Sequence, residues 1–334
     1  MAATPQSNTT LNELARELLM RDNVCICGHV SPDGDCLGSA LALAAALRSS
    51  NKNVTCLLAR DETLDETLAT IPGADELVWA GSYDGPCDTF VAVDVPTRER
   101  LGDAASVLDR AAWSATIDHH AVDERMTTVA YVDPDAASTS LLVWLLTKLM
   151  GVMPDPVVAT CAYTGLMTDT GRFQYQNADS MAFALASEMV MAGADPAGCA
   201  RRFYQNRRLA SVLLEGKAID HLRMICDGAG ALSFVSREDM EACGAVKADA
   251  EPLVDLLRSI STARVACMLR EQPEGVRCSL RAKDDTDVAE IARAFGGGGH
   301  KAAAGCTIEG KTVEEACDLL ARRIESALAE EEGC

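Results

Sequence analysis

The sequence predicts an α/β protein with an N-terminal domain built on a doubly wound, mainly parallel sheet and a smaller C-terminal α/β domain. The first 200 residues alternate short apolar runs, rich in β-branched residues, with Ala- and Leu-rich segments of helical length. A second group of strand-like runs begins after residue 212. With 334 residues, the chain is long enough to bury two separate cores.

Strands and helices alternate in the first domain, which is the order typical of a parallel sheet. The predicted strands are 23–29, 53–59, 88–94, 113–119 and 127–133. The predicted helices are 36–50, 137–150, 156–170, 179–192 and 196–204.

The second domain is predicted to mix strands with helices. Its expected strands are 229–236, 263–270 and 275–283, and its expected helices lie near 287–295 and 312–329. The polar segment 205–212 is predicted to be a linker, which gives domains of 1–204 and 213–334.

Composition excludes several classes of protein. A net charge of −20 argues against a passive binder of long nucleic acid, because such binding depends on Lys and Arg along the phosphate backbone. No run approaches the roughly 18 apolar residues of a membrane span, and the N-terminus lacks a signal-peptide pattern. A cytoplasmic protein without a membrane partner is expected. The 14 cysteines form no CxxC pair and are interpreted as reduced core residues.

Four of the five histidines fall in three motifs that are rich in Asp or Gly: GHVSPDGDCLGS (28–39), DHH (118–120) and GGGGHKAAAG (296–305). Because the carboxyl ends of parallel strands meet at one edge of a sheet, groups that follow different strands can converge there. The candidate metal-site residues are His29, Asp33, Asp35, Asp94, Asp118, His119, His120 and Asp169. A mixed set of imidazoles and carboxylates favours Mn²⁺, with Mg²⁺ or Co²⁺ as substitutes. Taken singly, each motif is also compatible with a solvated turn.

The glycine-rich motif predicts an anion site. Glycines before His300 allow backbone N–H groups to approach an anion closely, and this makes Gly298, Gly299 and His300 candidate substrate contacts. Ser279 and Arg281 are candidate phosphate contacts on a nearby strand, although an arginine at a strand end is commonly just solvated. A flexible linker is the alternative interpretation of the glycines.

Two other features have two interpretations each. Phe173 and Tyr175 could stack on a base or pack in the core. The basic stretch 201–208 could face a substrate, or it could be a helix C-terminus with its usual cations.

In order along residues 23–305, the motifs resemble those of the DHH phosphoesterase family. The resemblance rests on GH-x₂-PDGD-x₂-GS, on Asp94 followed by RLG (100–102), on DHH and on TDTG-x-F-x-Y (168–175). GGGGHKAAAG resembles the motif of the DHH-associated C-terminal domain. Length and layout are similar to the branch of nanoRNases that also dephosphorylate 3′-phosphoadenosine 5′-phosphate.

The resemblance implies two Mn²⁺ ions and two-metal hydrolysis of a phosphoester. One ion would be bound by His29, Asp33 and Asp94, and the other by Asp35, Asp94, His119 and Asp169, with Asp94 bridging both. Asp118 would orient an imidazole and His120 would face the scissile phosphate. Thr97 stands where many relatives have an acidic residue, a departure that bears on metal preference.

The expected function is therefore Mn²⁺-dependent hydrolysis of short RNA oligonucleotides or linear dinucleotides to mononucleotides. 3′-Phosphoadenosine 5′-phosphate is a further candidate substrate, and a homodimer is an open option. The alternatives are a soluble cyclic-dinucleotide phosphodiesterase and a non-catalytic nucleotide- or RNA-binding protein. The intact ligand set argues against the non-catalytic alternative.

Overall fold

The computed structural model describes residues 7–121, 124–153 and 155–332. The chain divides between Asn206 and Arg207 into two compact units, here called the N-terminal unit and the C-terminal unit. Among the described residues, no helix combines the length and the apolar character that crossing a bilayer requires.

The N-terminal unit is built on a six-stranded sheet in which every pairing is parallel. Its strands are β1 (Val24–Cys27), β2 (Val54–Leu58), β3 (Val78–Trp79), β4 (Thr89–Val93), β5 (Trp113–Asp118) and β6 (Val129–Val132). Its helices are α1 (Leu11–Leu19), α2 (Gly34–Ser49), α3 (Ala104–Leu108), α4 (Thr139–Leu149), α5 (Pro156–Asp169), α6 (Ser180–Met191) and α7 (Pro196–Tyr204).

Both faces of this sheet are covered, which explains why its strands are continuous apolar runs. In β1, Val24 and Ile26 belong to the core shared with α1, α2 and α4, whereas Cys25 and Cys27 belong to the core on the side of α3. All four residues of β1 and all five of β4 are buried. The prediction of a doubly wound parallel sheet is confirmed.

The strand order is β3-β2-β1-β4-β5-β6, so the chain reverses its direction of winding between β1 and β4. In open parallel sheets, ligands bind at the carboxyl ends of the strands beside this switch point. His29 follows β1 by two residues and Asp94 follows β4 directly. The sheet order therefore places two of the candidate ligands at the edge of the sheet that favours ligand binding.

The C-terminal unit contains a mixed six-stranded sheet with the order β11-β12-β10-β9-β8-β7. Its strands are β7 (Arg223–Ile225), β8 (Gly230–Val235), β9 (Val265–Gln272), β10 (Gly275–Ala282), β11 (Gly298–His300) and β12 (Ala303–Ile308). Its helices are α8 (Leu209–Asp220), α9 (Arg237–Cys243), α10 (Lys247–Ala250), α11 (Leu253–Arg258), α12 (Val288–Arg293) and α13 (Val313–Glu332). Only β8 and β9 run parallel.

Two expectations for this unit need correction. The predicted linker extended to residue 212, but α8 begins at Leu209, because Leu214 and Ala218 of this helix pack into a core of the unit. No strand was expected in the glycine-rich motif, but Gly298–His300 form an edge strand paired with β12. Glycine and alanine carry little β signal, so the sequence did not reveal this hairpin.

The cysteines behave as the sequence predicts in the part of the chain that is described. All of those described are free thiols, and most are buried. Burial raises the pKa of the Cys56 thiol to about 12, which keeps it neutral. These thiols therefore act as small apolar core residues.

We expect Gly38→Ala to destabilise the N-terminal unit. A Cβ at this position of α2 would lie 2.6 Å from the backbone carbonyl oxygen of Cys161 in α5, and backbone cannot yield cheaply. The expected cost is about 1 to 3 kcal/mol, measured by chemical denaturation. Gly216→Ala is the control, since a Cβ there has no neighbour within 4 Å, and it should be neutral or stabilising. Equal stability of both variants would contradict close packing of α2 on α5.

Candidate functional site

Asp94 lies at the centre of the candidate site. It follows β4 with a φ of 57°, a left-handed conformation that is uncommon for a residue other than glycine, and its N–H donates to the carbonyl of Ile117. Its side chain is 3% exposed. Such strain persists where the surrounding structure holds the residue in place, and it is common at functional sites.

One oxygen of Asp94 faces the loop that follows β1. The Nε2 atom of His29 lies 3.6 Å from Asp94 Oδ2 and 3.7 Å from Asp33 Oδ2. The other oxygen of Asp33 accepts hydrogen bonds from the N–H groups of Asp35 and Cys36, both at 3.0 Å, and so caps α2. The cap fixes one Asp33 oxygen and leaves the other directed towards His29.

The second oxygen of Asp94 faces the end of β5. The Nε2 atom of His119 lies 3.6 Å from Asp94 Oδ1 and 3.6 Å from Asp169 Oδ2. Asp169 is the last residue of α5. Ligand atoms of Asp35, His119 and Asp169 lie within 4.8 Å of one another. The structure thus brings the six predicted ligands into one cluster on either side of Asp94.

These separations fit metal ions better than direct contacts. A nitrogen and an oxygen 3.6 Å apart are too distant for a hydrogen bond. Two ligand atoms that each lie about 2.1 Å from one ion are instead expected to be about 3 to 4 Å apart. The imidazoles and carboxylates also form the type of mixed donor set that divalent transition metals accept. The residues present therefore fit a divalent ion on each side of Asp94.

The two histidines are oriented for this role by backbone carbonyls. His29 Nδ1 lies 2.9 Å from the carbonyl of Val30, and His119 Nδ1 lies 3.2 Å from that of Ala136. A proton on His119 Nδ1 satisfies the Ala136 carbonyl and leaves Nε2 as the lone-pair donor. At His29 the same proton would satisfy the Val30 carbonyl but would face the Arg100 Nη2 donor, which lies 3.0 Å from Nδ1. In both histidines it is Nε2 that faces the carboxylates.

Asp118 organises the DHH motif. Its Oδ1 atom accepts hydrogen bonds from the N–H groups of His119, at 2.7 Å, and His120, at 3.1 Å, and lies 2.8 Å from His120 Nδ1. Its buried Oδ2 has no hydrogen-bond partner among the described residues. Asp118 therefore sets the orientation of the His120 ring, whose side chain is 39% exposed.

The pKa shifts follow from burial and from the crowding of negative charge. Burial raises the pKa of Asp35 well above its usual range, and Asp94 and Asp169 add to the effect. Burial likewise raises the pKa of Asp169 to about 6. For His29, burial favours the neutral ring, but its contacts with Asp33 and Asp94 outweigh burial and raise the pKa to about 10. Without a cation, the cluster therefore retains protons that a metal would displace.

The sequence did not reveal the role of Thr139 and Ser140 at the N-terminus of α4. Their N–H groups donate to the two oxygens of Asp35 at 2.7 and 2.9 Å, and Thr139 Oγ1 donates to Asp94 Oδ1 at 3.0 Å. A helix N-terminus stabilises a carboxylate through its free N–H groups. The only signal in the sequence is the helix cap at Ser138, which is too common to indicate a site.

Two more residues contact His29 or lie beside it. Arg100, in the RLG motif, places Nη2 3.0 Å from His29 Nδ1. The Cys36 sulfur belongs to a group with His29 and Asp94 that could hold a metal. Burial raises the pKa of the Cys36 thiol well above its usual value, and a protonated thiol is a poor ligand.

The predicted substrate contacts belong to the C-terminal unit. Ser279 and Arg281 lie on β10, where they pair with Gly305 and Ala303 of β12. Gly298 and Gly299 lie in β11 and pair with Gly305 and Ala304. The backbone of His300 pairs with Ala303, and its side chain lies outside the described part of the chain.

The aromatic residues of the TDTG segment differ in exposure. Phe173 packs against the core of the N-terminal unit and stacks on Phe183, with ring centroids 5.3 Å apart. Tyr175 is 47% exposed. Of the two interpretations for Phe173, core packing is the one that these contacts support.

The basic stretch 201–208 is largely neutralised. Arg201 lies 3.8 Å from Asp195, Arg207 2.8 Å from Glu215 and Arg208 2.5 Å from Asp249. These ion pairs favour the interpretation that the basic stretch is a helix C-terminus with its usual cations. They argue against a strip that faces a substrate.

Comparison with known proteins finds matches to two domain families. The family model for the N-terminal domain of the DHH family matches residues 23–166, and that of the DHHA1 domain matches residues 240–328. The chain therefore contains a region that matches the N-terminal domain of the DHH family and a region that matches the DHHA1 domain, as its motifs predict.

The similar proteins span most of the chain. The bifunctional oligoribonuclease and PAP phosphatase NrnA of Thermus thermophilus is 29% identical over 91% of this chain and 90% of its own length. The cyclic-di-AMP phosphodiesterase GdpP of Bacillus subtilis is 25% identical over 91% of this chain but 47% of its own length. The crystal structure of an exopolyphosphatase-related protein from Bacteroides fragilis shares the fold with a TM-score of 0.88 at 27% identity, covering 95% of this chain and 96% of that one.

We expect Thr139→Val to weaken metal binding and turnover by about 10- to 100-fold, because it removes the hydroxyl that holds Asp94 Oδ1 while it keeps the shape of the side chain. Thr139→Ser should retain most of the metal affinity and most of the turnover. Thr147→Val, in the same helix, is the matched control, since its hydroxyl donates only to the Trp144 carbonyl. Titration with Mn²⁺ and initial rates measure both effects. Wild-type metal affinity in Thr139→Val would show that Asp94 needs no such support.

Proposed function

We propose that the protein is a phosphoesterase with two Mn²⁺ ions that hydrolyses short RNA oligonucleotides and linear dinucleotides to mononucleotides. In this proposal it also removes the 3′-phosphate of 3′-phosphoadenosine 5′-phosphate. The observation that carries the proposal is the pair of 3.6 Å separations on opposite sides of Asp94, one to His29 and one to His119. The two activities are those for which the relative NrnA is named.

The proposed ligand sets divide the cluster at Asp94. His29, Asp33 and Asp94 would hold one ion, and Asp35, Asp94, His119 and Asp169 the other. When bound, two divalent ions supply an activated water and stabilise negative charge on the attacking and leaving oxygens. Mg²⁺ or Co²⁺ would substitute for Mn²⁺ with the same ligands.

His120 is proposed to act on the leaving group. Its Nδ1–H is directed at Asp118 Oδ1, at 2.8 Å, so Nε2 is the ring atom left for the substrate. Burial lowers its pKa, but the hydrogen bond and charge of Asp118 outweigh burial and raise it. A protonated His120 can donate from Nε2 to the departing oxygen, with Asp118 as its positioning residue.

The C-terminal unit is proposed to bind the substrate through Gly298, Gly299, His300, Ser279 and Arg281. The serine and the arginine lie two residues apart on β10, so both project from one face of the sheet. The N-terminal unit is proposed to be the catalytic domain and the C-terminal unit, which begins at Arg207, the substrate domain. A cytoplasmic location and a homodimer remain predictions.

Product analysis tests the proposed function. With Mn²⁺, a 5′-phosphorylated dinucleotide should give mononucleotides, and 3′-phosphoadenosine 5′-phosphate should give AMP and phosphate. Asp94→Asn should abolish both reactions while the circular-dichroism spectrum stays unchanged, since Asp94 serves both ligand sets. A cyclic dinucleotide cleaved faster than the linear one would favour the activity named for GdpP. Full turnover in excess chelator would refute the metal mechanism.

Metal binding should release protons. At pH 7 the metal-free His29, with a pKa of about 10, carries a proton that Nε2 must lose to bind metal. Asp169, with a pKa of about 6, adds further release as the pH falls towards 6, so Mn²⁺ affinity should decrease over the same range. Calorimetry in buffers with different ionisation enthalpies counts these protons. His221→Gln is the control, because that ring contacts Phe234 of the C-terminal unit. Affinity that is independent of pH would contradict these ligands.

Substrate length should matter because the chain carries a net charge of −20. Long-range repulsion opposes a long polyanion, and only local contacts can offset it. We expect kcat/KM to be highest for about two to five nucleotides and to fall for longer chains. A series of 5′-labelled RNAs measures this dependence. Rising efficiency at twenty nucleotides would overturn the short-substrate assignment.

A further inference from the structure

The C-terminal unit contains a cavity of about 460 Å³ on one face of its sheet. Its charged lining consists of Lys247, Arg270, Arg277, Arg281 and a single carboxylate, Glu251. A volume of this size suits a small ligand. Four cations against one carboxylate, in a chain with a net charge of −20, indicate that the ligand is an anion.

Without a bound anion, the positions of two of these arginines destabilise the sheet. Arg270 and Arg277 are direct cross-strand partners in β9 and β10, and like charges directly opposite each other destabilise a sheet. Burial lowers the pKa of Arg270; the charge of Glu251 opposes this shift, and the charge of Arg277 adds to it. Among the described residues, neither Arg277 nor Lys247 has a carboxylate within 4.0 Å. An anion bound between Arg270 and Arg277 would remove the electrostatic repulsion between the two guanidinium groups.

The glycine-rich motif provides room for Arg277. A Cβ at Gly305 would lie 2.8 Å from the Nη2 atom of Arg277, so the guanidinium lies directly over this glycine. Gly305 pairs with Ser279 on one side and with Gly298 on the other. Ser279, Gly305 and Gly298 therefore form a row of small residues beside Arg277. The last glycine of GGGGHKAAAG thus has a steric function that the predicted anion site did not include.

Other residues hold the remaining cations in place. Gln272, with its amide oxygen turned towards Arg270, accepts from both terminal nitrogens of that guanidinium at 3.1 and 2.8 Å. Arg281 Nη1 donates to the carbonyl of Leu280 at 3.0 Å. Arg281 and Ser279 were already candidate phosphate contacts. Lys247, Arg270 and Arg277 extend the positively charged lining of the cavity beyond these two residues.

We propose that Lys247, Arg270 and Arg277 form a subsite for a second, non-scissile phosphate group, so that nucleotide substrates with an additional phosphate are preferred. This inference rests on the proposed function, because it assigns the bound anion to the substrate of that reaction. Each arginine can offer two N–H donors to phosphate oxygens, and charge-assisted bonds of this kind are the stronger ones.

The experiment compares a dinucleotide with a 5′-phosphate to the same dinucleotide without it. In Arg277→Gln and Arg270→Gln, the ratio of kcat/KM for the two substrates should fall by about 10- to 100-fold relative to the wild type, the loss expected for a charge-assisted hydrogen bond. Arg293→Gln is the matched control. Arg293 is exposed and paired with Asp287 on α12, which packs in the core on the other face of the sheet. An unchanged ratio in both pocket variants would overturn the proposal.

Gly305→Ala tests the geometry without removing a charge. The added methyl should displace the Arg277 guanidinium and lower the same ratio, with the circular-dichroism spectrum as the check on folding. If this variant fails to fold, the two arginine variants still decide the question.

A binding measurement separates the subsite from the catalytic reaction. In chelator, calorimetry with the phosphorylated dinucleotide should show weaker binding in Arg277→Gln than in the wild type. Pyrophosphate serves as the free-anion probe. If the variants lose pyrophosphate affinity while the substrate ratio is unchanged, the pocket binds a free anion and the substrate assignment is wrong. If the wild type binds the dinucleotide through Arg277 but cleaves neither substrate, the proposed function fails while the subsite remains.

Discussion

The buried carboxylate of Asp94 is the constraint on which the N-terminal unit depends. A charged carboxylate in a core is costly unless it is paired, and here its two oxygens face His29 on one side and His119 and Thr139 on the other. This division requires β1, β4 and β5 to be neighbours. It also requires the residue that follows β4 to adopt a left-handed conformation, as Asp94 does. The strand order and the backbone strain therefore both serve to position the Asp94 carboxylate.

The fold and the ligand cluster were largely predictable because both follow from short-range signals. Apolar runs of strand length marked the parallel strands, and polar residues at their ends marked the edge where ligands gather. Thr139 was not predictable, because a Ser or Thr at the start of a helix normally signals only a cap. It gains its role from the close approach of helices in the N-terminal unit. In that packing, a Cβ on Gly165 would lie 2.5 Å from Ser140 Oγ and 2.7 Å from Asp35 Oδ1.

The C-terminal unit was less predictable for a related reason. The segment Ala303–Ile308 is made mostly of small residues, which give no clear alternation, so β12 and its hairpin partner were missed. The contact between Gly305 and Arg277 depends on the register of β10 and β12, and register is a property of the folded sheet. Sequence identified the glycines as significant but assigned them to backbone contacts with an anion. The structure adds that one of them makes space for a cationic side chain.

The clusters of charged residues in the two units are stabilised by ligands of opposite charge. The N-terminal cluster gathers carboxylates whose pKa values are raised by burial, so it is stabilised by cations. The C-terminal cavity gathers arginines and a lysine, so it is stabilised by anions. Screening limits the reach of either local field to about 8 Å at physiological salt, and the net charge of −20 repels those parts of an extended polyanion that lie along the protein surface. A small anion can therefore lie within the favourable field of the cavity, while most of a long polyanion would remain outside it and be repelled by the acidic surface.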